Sequence, residues 1–133
     1  MTRFGIDAGT AIRLAREGAA LPAEHSLVGP TLLRSAVLSR LYRDVRAGST
    51  SSADARSLVD GVTAMRIRLL GDRVSRATAW RIAEQCGWDD TTDAEYVAVA
   101  QLQADAFVTL DEELAHRVRH IVEVAPFEAL LRP

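Results

Sequence analysis

Lysine is missing from this chain: all sixteen basic residues are arginine. A phospho-receiver domain needs a placed lysine, so that class is disfavoured at once, while the Arg and Ala bias itself fits a GC-rich coding sequence and carries little chemistry. Cysteine is almost absent too. With Cys86 alone, no intramolecular disulfide can form and the secreted disulfide frameworks are excluded, which makes the cytoplasm the expected setting. No activating partner lies near Cys86 in sequence, so it reads as a small buried hydrophobe. Aromatic residues are only 5% of the chain. The core must therefore come from Leu, Val, Ile and Ala, a mix suited to buried strands flanked by helices and ill suited to an all-β sandwich. No apolar run approaches the roughly 18 residues of a membrane span, and no basic and apolar leader pattern opens the chain.

What is present describes a globular chain. Apolar residues make up 48% and charged residues 26% of 133 residues, enough for a single domain over residues 1–133 whose core buries roughly two-thirds of the unfolded surface. Charge is segregated along it: residues 1 to 81 sum to +6, residues 82 to 116 to −9 without one Arg, and the remainder to +1. An acidic pocket beside basic surfaces is one way to fold that pattern, and a solvated acidic face is the other.

The apolar run Arg3 to Asp7 reads as a strand stopped by an acid, and Ile12, Leu14 and Ala15 then keep helical spacing as far as Gly18. "HSLVG" is a weak second strand. From Pro30 the stripe Leu33, Val37, Leu41, Val45 predicts a long helix ending near Gly48. "STSSADARSLVDGV" offers several N-caps and a helix, and "MRIRLL" alternates as a strand. A helix follows from Asp72 to Cys86 and Gly87, and another begins at Thr91 or Thr92. "AFVTL" predicts a short strand, "DEELAHRV" a short helix, "HIVEV" a last strand and "FEALL" a terminal turn. Strands joined by helices imply right-handed crossovers and a mostly parallel sheet in a three-layer α/β/α arrangement.

In such a sheet, sites form beyond the carboxyl ends of strands. Asp7 ends the first strand, and Asp111 comes just after Thr109 at the end of "AFVT". Either acid alone serves equally well as the cap of the helix after it. Asp93 is less easily explained that way, because Thr91 and Thr92 already offer caps to its helix. That helix, with Tyr96, Val97, Val99, Ala100 and Leu102, is apolar nearly all round and so expected to be buried. Three carboxylates together are costly unless a cation neutralises them, and an all-oxygen set points to Mg²⁺ or Mn²⁺. His25, His116 and His120 are too scattered to make a His-based site.

"FGIDAGTAIRL", "TTDAEYVAVAQ" and "FVTLDEELA", in this order and spacing over essentially the whole chain, resemble the PIN domain, and most closely the VapC-type ribonuclease toxins of type II toxin-antitoxin systems. The resemblance implies a parallel-sheet fold, a homodimer, a cognate VapB-like antitoxin, and acids that hold Mg²⁺ or Mn²⁺ for cleaving RNA. Matched position by position, Asp7 corresponds to the first family acid, Asp93 to the third and Asp111 to the fourth, while Thr109 matches the small hydroxyl residue before the last acid. The second family acid is missing. Where the family usually has Glu, within "LLRSAVLSRLY", this chain has Ala36, and none of Leu32, Leu33, Ser39 or Arg40 a turn away replaces it.

Ala36 reads either as an inactivating Glu→Ala change, sparing the cell that makes the protein, or as natural degeneration; the intact flanks favour the first. The expected activity is that of a metal-dependent endoribonuclease, with Asp7 and Asp111 as direct metal ligands and Asp93 binding metal or orienting water. One missing carboxylate is expected to slow it by about a thousandfold or more. Arg34, Arg40, Arg43, Arg46, Arg73 and Arg76 are the candidates for phosphate contacts. An antitoxin Arg entering the acidic pocket is the expected mode of inhibition, and the helices around 51 to 66 and 72 to 86 are the candidate dimer surfaces. The alternative is a noncatalytic module that keeps the fold and binds antitoxin or RNA. A phosphatase of acidic α/β type is disfavoured because "DAGT" lacks the second acid of a DxDGT signature.

Overall fold

The apolar stretch Thr2–Ile6 forms strand β1 and stops at Asp7, whose extended backbone and side chain turn the chain into helix α1, Ala8–Glu17. The computed structural model describes residues 1–133. Asp7 is the N-cap, accepting from the Thr10 amide, and Gly18 ends α1 in the left-handed conformation that glycine adopts without strain. After β2 (His25–Pro30) come two helices, α2 (Leu33–Arg46) and α3 (Ser52–Ala64), and then β3 (Ile67–Leu70). Helices α4 (Arg73–Cys86) and α5 (Thr92–Gln103) lead to β4 (Ala106–Val108), α6 (Glu112–Val118) and a terminal 3₁₀ turn, Phe127–Leu131.

All four strands are parallel, in the order β3-β2-β1-β4. The chain steps outward from β1 to β3 and then crosses back to the far side of β1. Because parallel crossovers are right-handed, that reversal puts α1 to α3 on one face and α4 with α5 on the other. Packing agrees: α1, α2 and α3 lie on one another, α4 lies on α5, and α5 lies on β1 and β2. The result is the three-layer α/β/α architecture expected from the sequence. The reversal also opens a crevice between the carboxyl ends of β1 and β4, where Ile6 pairs with Val108.

A cluster of 28 buried apolar residues fills the space between the layers. Phe107, Ile6, Leu14, Leu33, Leu41 and Ile82 are among its fully buried members, and each such side chain stabilises the fold by about 1.5–3 kcal/mol. The buried face of α5 takes in Ala94 and every residue from Tyr96 to Ala100, so the helix is seated in the core from its third residue onward. Gly5 permits this close packing, since a Cβ there would stand 2.8 Å from Ala100 Cβ. No helix is long and apolar enough to cross a membrane.

Three local expectations are corrected. Pro30 does not open α2 but closes β2, where it pairs only with Leu70 of β3; β1 pairing has already ended at Val28, so the missing N–H leaves no bond unmade. "HIVEV" is not a strand. After α6 the amides of Ile121 and Val122 turn back to the Val118 carbonyl, and what remains is one parallel bridge between Val124 and Phe107. Pro126, without an N–H to donate, follows directly. Nor do the threonines cap α5: Thr91 makes no capping bond with its side chain, and the Thr92 amide donates instead to Asp90 Oδ1 at 3.0 Å.

Candidate functional site

The crevice beyond β1 and β4 is a cavity of about 470 Å³ whose walls include Asp7, Ala36, Asp93 and Asp111. Three separate elements deliver the acids. Asp7 sits where β1 becomes α1, Asp111 where the β4 loop becomes α6, and Asp93 in the first turn of α5. Asp7 and Asp111 are caps as well, accepting from the Thr10 amide and the Leu114 amide, each at 3.0 Å. Capping and lining the cavity are therefore one arrangement: the cap fixes the rotamer that aims the carboxylate at the crevice.

Asp7 is the most firmly held. Its Oδ1 lies 2.8 Å from the hydroxyl of Thr10, which is fully buried and is also 3.1 Å from the Val108 carbonyl. That hydroxyl has a single proton, and the nearer, charged carboxylate is the stronger acceptor. On the other side, Thr109 Oγ1 donates to Asp7 Oδ2 at 2.5 Å while accepting from the Asp111 amide at 3.1 Å. Thr109 thus ties the first acid to the backbone of the last.

Asp93 makes no side-chain hydrogen bond and is an exposed residue of the cavity wall. Its carboxyl is pushed above the usual carboxylate range, first by loss of water on its inward side, then by repulsion from Asp111, Asp7 and Asp90. Asp7 and Asp111, on other elements, thus act on Asp93 through space across the cavity they all line. Burial also raises Glu95, in the same turn.

Tyr96 was not singled out in the sequence, although it is the one residue with a polar tip in the buried run of α5. It is only 4% exposed, lines the cavity, and its hydroxyl has no hydrogen-bond partner. Burial lifts its pKa far above the usual phenol value, with Asp7 and Asp93 adding to the rise; the nearby Ala8 amide acts the other way, though its geometry falls short of a hydrogen bond. The hydroxyl keeps its proton and remains a donor.

Of the six arginines proposed for phosphate contacts, Arg40 and Arg43 line the cavity, whereas Arg34, Arg46, Arg73 and Arg76 do not. Arg40 lies over the start of α1, where a Cβ on Gly9 would meet its Nη1 at 2.8 Å. Neither guanidinium forms an ion pair with the three acids. Ala36, half-buried one turn before Arg40, presents only a methyl group to the cavity.

No three His, Cys, Asp or Glu side chains are grouped closely enough to clasp an ion. The donor type nevertheless fits a hard divalent cation: oxygen only, anionic, and in part free of other partners. Mg²⁺ commonly keeps several waters and takes one or two carboxylates, so it does not require a closed protein cage. The fit is therefore one of donor chemistry, with a gap at Ala36.

Comparison with known proteins gives the fold alone. No family model matches the chain, and no curated protein does. Among solved structures, the crystal structure of PAE2754 from Pyrobaculum aerophilum is similar, with a TM-score of 0.71 and 21% identity over 98% of this chain and 94% of that one.

Proposed function

We propose that this chain is a metal-dependent endoribonuclease of the PIN-domain, VapC-like type, the toxin of a toxin-antitoxin pair, impaired by Ala36. The observation that carries the reading is the meeting of Asp7, Asp93 and Asp111, from three elements, in one cavity that also contains Ala36, Arg40 and Arg43. Carboxylates meeting beside arginines suit a ligand that combines cation and phosphate, which neither a purely acidic nor a purely basic pocket would favour.

In this reading Asp7 and Asp111 hold Mg²⁺ or Mn²⁺, and Asp93 binds the ion or orients a water. When bound, the ion neutralises phosphate charge and makes a coordinated water more acidic. Thr10 and Thr109 keep the Asp7 carboxylate from rotating away. Arg40 and Arg43 contact phosphates along the strand.

The same reading brings a homodimer and a cognate VapB-like antitoxin in the cytoplasm. Val74 and Trp80, exposed on α4, support pairing of two copies there, and the acidic cavity suits an antitoxin guanidinium in place of the metal. A second reading, a noncatalytic module that binds antitoxin or RNA, is favoured by Ala36 itself.

Restoring Ala36→Glu separates the two. The nuclease reading expects Mg²⁺-dependent RNA cleavage and growth arrest to rise by about a thousandfold over the present chain. No gain in cleavage, with Mg²⁺ bound by the restored chain, leaves the binding module as the function.

A further inference from the structure

We infer that the Tyr96 hydroxyl contacts the ligand of this cavity, donating its proton to a non-bridging phosphate oxygen of a bound RNA strand. The inference rests on reading the site as one for RNA and adds to it a residue outside the acid cluster. Tyr96 is 4% exposed, and its hydroxyl is a buried polar atom without a partner in a cavity wall. Buried polar groups are nearly always hydrogen-bonded, because an unmade bond costs about 1–3 kcal/mol. A phenylalanine would fill the same space without that cost. The hydroxyl is therefore unexplained by packing and is accounted for by a partner that arrives with a ligand.

Which partner follows from the chemistry of the walls. The nearby carboxylates would accept this proton, but none is within hydrogen-bond reach in the folded chain. Arg40 and Arg43 are donors only and make no ion pair with the three acids. The cavity thus has four free donor side chains, the neutral Tyr96 and Thr92 and the cationic Arg40 and Arg43, and their common acceptor is an anionic oxygen. A phosphodiester supplies two such oxygens, and a divalent ion, if held by Asp7 and Asp111, would relieve its repulsion from the acids.

The test uses the full chain with Ala36 in place, in Mg²⁺, and a short fluorescein-labelled single-stranded RNA whose integrity is checked on a denaturing gel. Fluorescence anisotropy gives affinity across a salt series, and urea unfolding gives stability. For Tyr96→Phe we expect stability equal to or above that of the parent, and affinity about tenfold or more weaker, as for one lost hydrogen bond to a charged oxygen. The salt dependence should keep its slope, since a neutral donor releases no counterion; Arg43→Gln should flatten it by about one counterion. Equal affinity of parent and Tyr96→Phe overturns the assignment and leaves the nuclease reading to the Ala36→Glu test. Lower stability of Tyr96→Phe overturns it too, because the hydroxyl would then have a partner within the free protein. If neither chain binds RNA, the assignment falls together with the RNA reading.

Discussion

Thr109 Oγ1 donates to Asp7 Oδ2 at 2.5 Å, a bond spanning 102 residues of sequence. It joins the ends of β1 and β4, the two parallel strands at which the order of strands along the sheet reverses. The same oxygen accepts from the Asp111 amide, so one hydroxyl aligns two of the three acids. Thr109→Val keeps the shape and removes both bonds. Urea unfolding at neutral pH should show a loss of about 1.5 kcal/mol or more with an unchanged denaturant slope. An unchanged midpoint would mean that the acids are aligned by their helix caps alone.

Asp93 makes a testable contribution to pH dependence. Its folded carboxyl binds a proton more tightly than the ordinary value of 3.8, so through the window just above that value the folded state holds more protons than the unfolded one. Stability must then fall as pH rises through the window, and the deficit persists at neutral pH. Asp93→Asn should accordingly raise the melting temperature at pH 7 in EDTA, with the advantage fading below about pH 4. A variant that melts lower than the parent at pH 7 would show that Asp93 is stabilised where it stands.

Metal should reverse that penalty. A divalent ion that binds only the folded chain adds about 2.7 kcal/mol at a hundredfold excess over its dissociation constant. Under the proposed function, Ala36→Glu should gain more thermal stability from Mn²⁺ than the present chain, and Asp7→Asn should gain little. Equal Mn²⁺ shifts in all three would place the ion somewhere other than this cavity.

Gly5 and Gly9 are both crowded, with opposite consequences. A methyl group on Gly5 would press on Ala100 Cβ and Cα, at 2.8 and 3.2 Å, where β1 and α5 cannot part without opening the core. Gly5→Ala should cost about 1–3 kcal/mol by overpacking. On Gly9 the methyl would meet only the far end of Arg40. Gly9→Ala should therefore fold nearly as well as the parent but displace the guanidinium, weakening RNA binding in the anisotropy assay. Full stability of Gly5→Ala would show that α5 is not seated as tightly on β1 as the structure has it.

Local physical chemistry carried most of the fold into the sequence. Asp7, Gly18, Asp72 and Gly87 mark helix ends because capping acids and left-handed glycines act within a few residues of themselves. Alternation of strands with helices was enough for a parallel α/β sheet, since parallel strands need crossovers. The three site acids could be read for a related reason: an acid at a strand end or a helix start is visible as a break in an apolar pattern.

Tertiary structure decided what depends on distance across the chain. "HIVEV" has strand composition, yet α6 turns back on Val118 and leaves one bridge. Arg40 was one of six equivalent arginines until the packing of α2 brought it over Gly9. Tyr96 looked like one more apolar residue of a buried helix. Only the reversal of strand order, which opens the crevice against α5, leaves its hydroxyl unpaired beside the acids. Capping and periodicity act over one or two helical turns, whereas a cavity is made by the space that several elements fail to fill together.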